Sequence, residues 1–528
     1  MYKQLSLLLF GFLFLPTYNV NSEETFYLKP VSVTQEDRFF LHTVERGQTV
    51  YSISLMYSVT PEDIYRLNPE SRTVIRIGDI LKIPQESGSY LYHTIQPKET
   101  LYGLSQRYHM KGEDIIAANP GLSIETFLIG KTIRIPTNMV TTPIQGGNEA
   151  VNSSRTNSLL TQISPLKEVN IIKIALLLPF GLKEPVAANS PKDRMVEYLE
   201  GFLLALKDIK KEGISVNLQI YDTGSDTKEI PAILKKKEMQ DIHLLIGGHS
   251  DEQIKMLSRF AKEKEISYVI PLTSKSDEPF YNPNIYQINT PQIYLYSRAS
   301  LAFCNKYDSY NIILVSTEAD SASSQREFIN LLTQDLQEKR IPYKTITLGP
   351  VFLNDVKGLL STNQKNVLVP SDDSPETLLK LAAVKSAVEN QSGPSVTLFG
   401  YPRWQVHSVK YSDILFRLNS TFYTGFYSDP TSEDVKTFYT TFYKWYTRTL
   451  GNSFPKYGML GYDTGMYFIR LMHNYGSQFD SHINDLKYKG VRSDFYFERI
   501  NNWGGFINTN MYFINYNSDF SITKIRVK

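Results

Sequence analysis

The sequence predicts two kinds of fold in one chain: two small α+β units of the order strand, helix, helix, strand, then a large α/β domain of two doubly wound lobes. Three observations predict it. A block near the N-terminus repeats in register, apolar strand-like runs alternate with amphipathic helical patterns from Ile171 onward, and a stretch rich in Thr, Asn, Ser, Gln and Gly separates the two regions. Alternating strand and helix patterns mark parallel sheets with helices on both faces. The segment 171–528 is too long for one such sheet, which divides it into two lobes.

In chain order, residues 1–22 combine a basic start at Lys3, an apolar run from Leu5 to Leu15 and a polar end at Val20-Asn21-Ser22. That run is shorter than the about 20 residues a helix needs to cross a bilayer, so it reads as an export signal cleaved after Ser22. No cysteine lies near the cleavage region, so no lipid anchor is expected and the processed chain should be soluble. The single cysteine, Cys304, leaves no partner for an intramolecular disulfide, so the fold must rest on buried apolar surface. With 528 residues, 41% of them hydrophobic, there is chain enough for several cores, about three domains by length. The 56 basic and 54 acidic residues nearly balance, which argues against nucleic acid or an anionic membrane held by bulk charge. No later run reaches 18 apolar residues, so no further membrane span is expected.

The repeat has an offset of 51 residues, as from His42-Thr43 to His93-Thr94, and it carries Thr49 to Thr100, Tyr57 to Tyr108, Glu62-Asp63-Ile64 to Glu113-Asp114-Ile115 and Asn68-Pro69 to Asn119-Pro120. After one inserted residue the offset becomes 52, pairing Ile77-Gly78 with Ile129-Gly130 and Ile83-Pro84 with Ile135-Pro136. Each unit reads as a strand (Phe40 to Val44 in the first), a turn through Arg46-Gly47, and a helix capped by Thr49 with Val50, Ile53, Ser54 and Tyr57 on its apolar face. A second helix is capped by Thr60, with Pro61 in its first turn and Glu62 and Asp63 favoured there by the helix dipole. Asn68-Pro69 stops it, and a closing strand, Asp79 to Ile83, pairs back to the first. The units are placed at 40–85 and 91–137.

The pattern H-T-V-x-x-G-x-T-V-Y-x-I-S, then V-T-x-x-D-I-x-x-L-N-P, then I-G-x-x-L-x-I-P, resembles LysM. The resemblance implies binding to N-acetylglucosamine-rich glycan, which in an exported bacterial protein means the glycan strands of peptidoglycan. It implies a shallow groove between the strand-to-helix loop and the loop before the last strand. In the first unit that groove is Gly47, Gln48, Thr49 and Val50 with Asn68, Pro69, Ile75, Arg76 and Ile77. In the second it is Lys98, Glu99, Thr100 and Leu101 with Asn119, Pro120, Phe127, Leu128 and Ile129. Where the family has Gly-Asp or Gly-Glu before Thr, this chain has Gly47-Gln48 and Lys98-Glu99, so the second groove departs further. For Thr49 and Asn68 a purely structural role as cap and helix stop stays open. His42 and His93 recur at equivalent strand positions and read as structural. Two modules on one polymer gain affinity through effective concentration.

Residues 138–170 cannot bury a core and read as a flexible linker, which predicts that the modules and the large domain move independently. Beyond it, Ile172 to Leu178, Val216 to Tyr221, Ile242 to Ile246, Ser267 to Ile270 and Asn311 to Ser316 read as strands. Val196 to Lys210, Glu252 to Lys262 and Tyr294 to Cys304 read as helices. Glu200-Gly201-Phe202, Leu245-Ile246-Gly247-Gly248-His249-Ser250, Tyr268-Val269-Ile270-Pro271-Leu272-Thr273-Ser274 and Leu460-Gly461-Tyr462-Asp463-Thr464-Gly465 make 171–528 resemble the type I periplasmic-binding-protein fold. That resemblance implies a ligand cleft at the strand ends, lined by His249, Ser250, Thr273, Ser274, Lys275 and Ser276 in the first lobe. From the second lobe it adds Glu318, with Ser316, Thr317, Ser371 and Tyr401 as weaker candidates. Helix capping is the alternative role for Ser250 and Thr273. The aromatic run Phe438-Tyr439, Phe442-Tyr443 and Tyr446 reads as core or partner-facing surface.

Three classes of function follow. One is a non-enzymatic wall protein whose bilobed domain senses a small molecule or docks a wall-synthesis or other envelope protein, as the resemblance to activators of penicillin-binding proteins implies. Another is a solute receptor for amino acids or wall fragments. The third is a peptidoglycan hydrolase. No enzyme is expected: Cys304 lies in an amphipathic helix without a nearby His, and the eight histidines form no H-x-x-x-D, H-x-H or H-E-x-x-H. No metal or cofactor is expected, and the expected location is the periplasm, on peptidoglycan.

Overall fold

A computed structural model describes residues 39–85, 89–137, 170–182, 191–317, 325–388, 394–451 and 453–527. The export signal, the linker up to residue 169 and Glu318 lie outside the described residues.

In the first module β1 (Phe39–Thr43) pairs antiparallel with β2 (Ile80–Pro84), and α1 (Val50–Tyr57) and α2 (Pro61–Leu67) cover one face of this ribbon. The second repeats it with β3 (Tyr90–Thr94), α3 (Leu101–Arg107), α4 (Gly112–Ala118) and β4 (Thr132–Pro136). Thr49 and Thr60 each close a capping box, with Ser52 and Asp63, which gives these short helices defined starts. Ile53, Ile64 and Ile83 form a sealed centre in the first module, and Leu101, Ile115 and Ile133 form the matching one in the second.

The large domain builds two seven-stranded sheets. The first lobe contains β5 (Ile172–Leu178), α5 (Pro191–Lys211), β6 (Val216–Asp222), α6 (Ile230–Leu234), β7 (Leu244–Gly247), α7 (Asp251–Glu263), β8 (Ser267–Ile270) and β9 (Ile285–Gln287). The chain crosses at 288–291 into α8 (Gln292–Tyr307), β10 (Asn311–Ser316), α9 (Arg326–Glu338), β11 (Tyr343–Thr347), α10 (Phe352–Leu359), β12 (Asn366–Pro370), α11 (Pro375–Val388), β13 (Val396–Gly400), α12 (Trp404–Arg417) and β14 (Thr421–Thr424). It returns to the first lobe for α13 (Glu433–Tyr446), α14 (Tyr457–Tyr475), β15 (Phe497–Arg499) and β16 (Phe506–Asn508), then ends in the second with β17 (Met511–Tyr516) and β18 (Ile522–Val527). The strand orders are β15-β16-β9-β8-β7-β5-β6 and β11-β10-β12-β13-β14-β17-β18. β5 to β9 with β16, and β10 to β14, run parallel, while β15, β17 and β18 pair antiparallel at the edges. This is the bilobed, doubly wound α/β architecture that the alternating pattern predicts, its lobes joined by three crossings.

The aromatic run on α13 splits by face. Phe438 and Phe442 are buried with Leu204 and Met459, while Tyr439 and Tyr443 are exposed. Among the described residues no helix is long and apolar enough to cross a membrane.

The expectation of independent movement is corrected by the packing. The modules form one unit: Phe40 stacks on Tyr92 at 5.3 Å, the Thr94 hydroxyl donates to Leu41 O at 2.8 Å, and Lys131 pairs with Glu45. This unit is docked on the bilobed body. Trp503, at the tip between β15 and β16, is 2% exposed and sits against Tyr57 (6.0 Å), Tyr92 (5.5 Å) and the Arg134 guanidinium (4.5 Å). Gly121 N–H donates to Asn502 O at 2.7 Å, Asn502 Nδ2 donates to Thr132 O at 3.1 Å, and the Tyr51 hydroxyl donates to Asp277 at 2.8 Å. Arg46 reaches the second lobe, donating to Ser297 O on α8 at 3.3 Å and lying 3.7 Å from Asp335 on α9. A polar linker fixes only that its own residues bury no core; it does not decide whether the bodies at its ends adhere.

Candidate functional site

Each module holds its strand-to-helix turn by the same network. His42 lies between Gln48 Oε1 (2.8 Å) and the Tyr57 hydroxyl (2.8 Å), and Gln48 Oε1 also accepts from Glu45 N–H at 2.8 Å. In the second module His93 lies between Glu99 Oε2 (2.6 Å) and the Tyr108 hydroxyl (2.9 Å), and Glu99 accepts from Gln96 N–H at 2.8 Å. Burial lowers the His42 pKa below the usual imidazole value, outweighing its hydrogen bond to Gln48. At Glu99 burial acts upward, but the Gln96 N–H, His93 and Arg107 together bring the carboxyl below its usual range. The two histidines are therefore structural pins, and Gln48 and Glu99 are interchangeable as acceptors in the turn.

The turn needs a left-handed residue, and the two modules supply it differently: Gly47 has φ 79°, Lys98 φ 70°. An L side chain there costs about 1–2 kcal/mol. Lys98→Gly should therefore stabilise the second module by up to about 1 kcal/mol, after the larger unfolded-state entropy of glycine is subtracted. Chemical denaturation of the modules reads this, and a destabilised variant would show that the lysine side chain itself holds the turn.

Several residues expected in the grooves are used inside the modules. Asn68 is 3% exposed and clamps α2 to β2: Nδ2 donates to Ile64 O and Lys82 O, both at 2.8 Å, and Oδ1 accepts from Lys82 N–H at 2.8 Å. Asn119 does the same with Ile115 O, Arg134 O and Arg134 N–H. Val50 and Leu101 are core residues, and the Thr49 and Thr100 hydroxyls accept the helix-capping N–H groups of Ser52 and Gly103 at 3.0 Å. Asn68, Asn119, Val50 and Leu101 are therefore corrected from ligand contacts to scaffold, since they are buried and their polar groups or apolar surface are spent within the module, whereas the half-buried Thr49 and Thr100 hydroxyls keep their own O–H donors. Asn68→Ala should cost about 2 kcal/mol or more by orphaning the N–H and C=O of Lys82, while Ile64 O keeps the Asn68 N–H, and the loss should appear as a lower melting point of the module before any loss of glycan affinity.

The rest of each expected groove is at the surface. Pro69, Arg76 and Ile77 (49% exposed), then Lys98, Pro120, Leu128 (51%) and Ile129 (66%) face solvent, and Gly47, Gln48, Ile75, Glu99 and Phe127 are half-buried. The first turn lies against α8: a Cβ on Gly47 would stand 3.5 Å from the Tyr294 ring. The second module's turn touches only its own module in the hydrogen bonds and ion pairs of Glu99. Its loop before β4 lines a cleft of about 920 Å³ shared with the first module and the 499–503 tip of the body.

In the bilobed body, Ser250 caps α7, its hydroxyl accepting from Gln253 N–H at 3.3 Å, and His249 beside it is exposed. The Thr273 hydroxyl accepts from Lys275 N–H at 3.0 Å and that of Ser276 from Glu278 N–H at 3.3 Å; Ser274 is half-buried and Lys275 exposed. In the second lobe Ser316 donates to Ile346 O at 3.3 Å, and Ser371 accepts from Thr317 N–H at 3.2 Å. Tyr401 is corrected to a core residue: it is fully buried and its hydroxyl donates to Pro370 O. The residues that sequence reasoning missed are Asn502, Trp503 and Arg134, which join modules to body. Asn501-Asn502-Trp503-Gly504-Gly505 is a turn-rich run around one large aromatic, and that was the available signal. Arg492 was also missed; its guanidinium lies 3.8 Å over Phe426, where the chain returns from the second lobe, and burial brings its pKa down to about 10.

The thiol of Cys304 is buried in α8, and burial, with Asp335 adding to it, pushes its pKa up to about 12. Such a thiol is no nucleophile near neutral pH. Among the described residues no group of three or more His, Cys, Asp or Glu side chains could hold a metal ion.

Two βααβ modules are thus carried on a bilobed α/β body. A family model described as LysM domain matches residues 42–84 and 93–136, so the two modules are LysM peptidoglycan-binding domains. Over 97 residues, 18% of this chain and 22% of the relative, the sequence is 34% identical to a putative sporulation-specific glycosylase of Bacillus subtilis. Over 108 residues, 18% of this chain and 40% of the relative, it is 26% identical to a probable autolysin of Staphylococcus aureus. The chain thus spans less than half the length of these curated relatives, and the likeness falls on the LysM region. Among solved structures, a putative branched-chain amino acid ABC transporter protein of Rhodospirillum rubrum aligns with TM-score 0.48 and 14% identity, over 67% of this chain and 100% of that chain. An ABC transporter substrate-binding protein of Sphaerobacter thermophilus aligns with TM-score 0.42 and 12% identity, over 68% and 97%.

Proposed function

We propose that this is an exported, non-enzymatic cell-wall protein that holds N-acetylglucosamine-containing peptidoglycan through its two LysM modules. Its bilobed body senses a small ligand or docks a wall-synthesis partner. The observation that carries this reading is the docking of the LysM pair across both lobes through Trp503 and Arg46, which makes wall contact and lobe arrangement parts of one assembly. Burial pushes the Cys304 thiol up to about 12, which argues against that residue as a covalent nucleophile. Peptidoglycan as the ligand places the chain outside the cytoplasm, and the location we propose is the periplasm.

Retention of the full chain on purified sacculi, released by soluble N-acetylglucosamine oligomers, is the expected result; a chain that washes through sacculi sinks the reading. A thermal shift with free amino acids, which offer the LysM modules no N-acetylglucosamine, would support ligand sensing by the body, and no shift would favour partner docking.

A further inference from the structure

The two modules are copies of one repeat, yet they meet the body differently, and the difference lies in residues that the repeat does not keep. At the offset of 51, Arg46-Gly47 of the first module stands where the second has Pro97-Lys98, and Leu55-Met56 where it has Gln106-Arg107. In the first module these positions are covered. Arg46 and Gly47 are half-buried, Met56 is 4% exposed, and Leu55 and Met56 belong to the apolar cluster that Phe280 and Trp503 of the body complete. In the second module all four counterparts are exposed. Apolar residues in place of a polar and a charged one, on the face that meets the body, are what the centre of an interface requires.

The covered part of the first module includes its strand-to-helix turn. A Cβ on Gly47 would stand 3.5 Å from the Tyr294 ring and 3.7 Å from Ser297 Cβ, so the gap between the turn and α8 holds about one methyl group and no sugar ring. Arg46 pins the turn to the second lobe, donating to Ser297 O at 3.3 Å and lying 3.7 Å from Asp335. Tyr51, in the first turn of α1, donates to Asp277 of the first lobe at 2.8 Å. The turn of the second module has no such cover: Lys98 is exposed, and the hydrogen bonds of Glu99 stay within its own module.

We propose that docking silences the first module: α8 covers one rim of its groove, so the docked chain takes up glycan through the second module alone, and the first becomes available only when the pair lifts off the body. The proposal rests on the glycan-binding reading above and assigns its regulation. The coupling is reciprocal: glycan in the first module favours the released pair, and whatever tightens α8 on the turn lowers the glycan affinity of that module by the same factor.

The test is calorimetric titration of the full chain with a tetramer of N-acetylglucosamine, with sacculus retention measured in parallel. Ile77 and Ile129 are equivalent residues of the two modules, 49% and 66% exposed, so a charge at either leaves the cores intact. In the parent, Ile129→Asp should weaken tetramer binding at least ten-fold, and Ile77→Asp should change it less than two-fold. Trp503→Ala releases the pair, and the combination of Arg46→Ala with Tyr294→Ala uncovers the turn while leaving the Trp503 contact in place. Both chains should take up a second tetramer, which Ile77→Asp then removes. A parent that Ile77→Asp weakens as much as Ile129→Asp does, or uncovered chains that still take up one tetramer and ignore Ile77→Asp, overturn the silencing and leave glycan binding standing. A chain that binds neither tetramer nor sacculi overturns both.

Discussion

Gly461→Ala should strongly destabilise the first lobe. Gly461 lies on α14 where that helix crosses α5, and a Cβ there would stand 2.0 Å from Tyr198 O and 2.9 Å from its carbonyl carbon. These are backbone atoms of a packed helix and cannot rotate away, so the helices must separate. Gly201 on α5 is in the same position from the other side, with a Cβ 1.7 Å from Gly458 O. Overpacking of this kind costs about 3 kcal/mol or more, which for a lobe of this size lowers the melting point by about 6–12 °C. The damage should extend to the lobe junction. The buried Asp463 carboxylate, two residues along α14, accepts from the N–H groups of Val491 and Arg492 at 2.8 Å and Ser493 at 3.1 Å, and Ser493 in turn donates to Gly425 O, where the chain leaves the second lobe. Gly358→Ala on α10 is the control: nothing lies within 4 Å of its Cβ, and alanine's helix preference should stabilise it by up to about 1 kcal/mol. A Gly461→Ala protein that melts with the parent would mean that the α5–α14 contact is looser than described.

Trp503→Ala should release the LysM pair from the body. It removes the side chain shared by Tyr57, Tyr92 and Arg134, and truncating a buried tryptophan costs about 3–5 kcal/mol. The contacts that remain are polar and few: the hydrogen bonds between Gly121, Asn502 and Thr132, Tyr51 to Asp277, and Arg46 to Ser297 and Asp335. Small-angle scattering should show a larger radius of gyration, and calorimetry should resolve a module transition separate from that of the body. A variant that keeps compact scattering and a single transition would refute the docking. Arg134→Ala should act in the same direction and more weakly, since it leaves the aromatic contacts of Trp503 in place.

The sequence by itself determined the elements. Thr49, Thr60 and Thr100 announce helix starts by capping chemistry, the repeat from His42 to His93 fixes two copies of one module, and apolar runs such as Ile172 to Leu178 lie at the strands observed. These signals are legible because they are local: burial period and cap geometry are written within a few residues. Side-chain roles within the grooves were less legible. Asn68 and Asn119 occupy the same loop whether they face a sugar or clamp a strand, and only the positions of Lys82 and Arg134 across the module distinguish the two.

Only the tertiary structure decided that the modules dock on the body and that a cleft opens between them. Tyr57, Arg134 and Trp503 are hundreds of residues apart at their extremes, and each alone reads as an ordinary core or surface residue. Their meeting depends on the shape of two finished surfaces rather than on any pattern along the chain. The polar composition of 138–170, the one local cue to the relation between the halves, reports how that segment is solvated and carries no information about what its ends bring together.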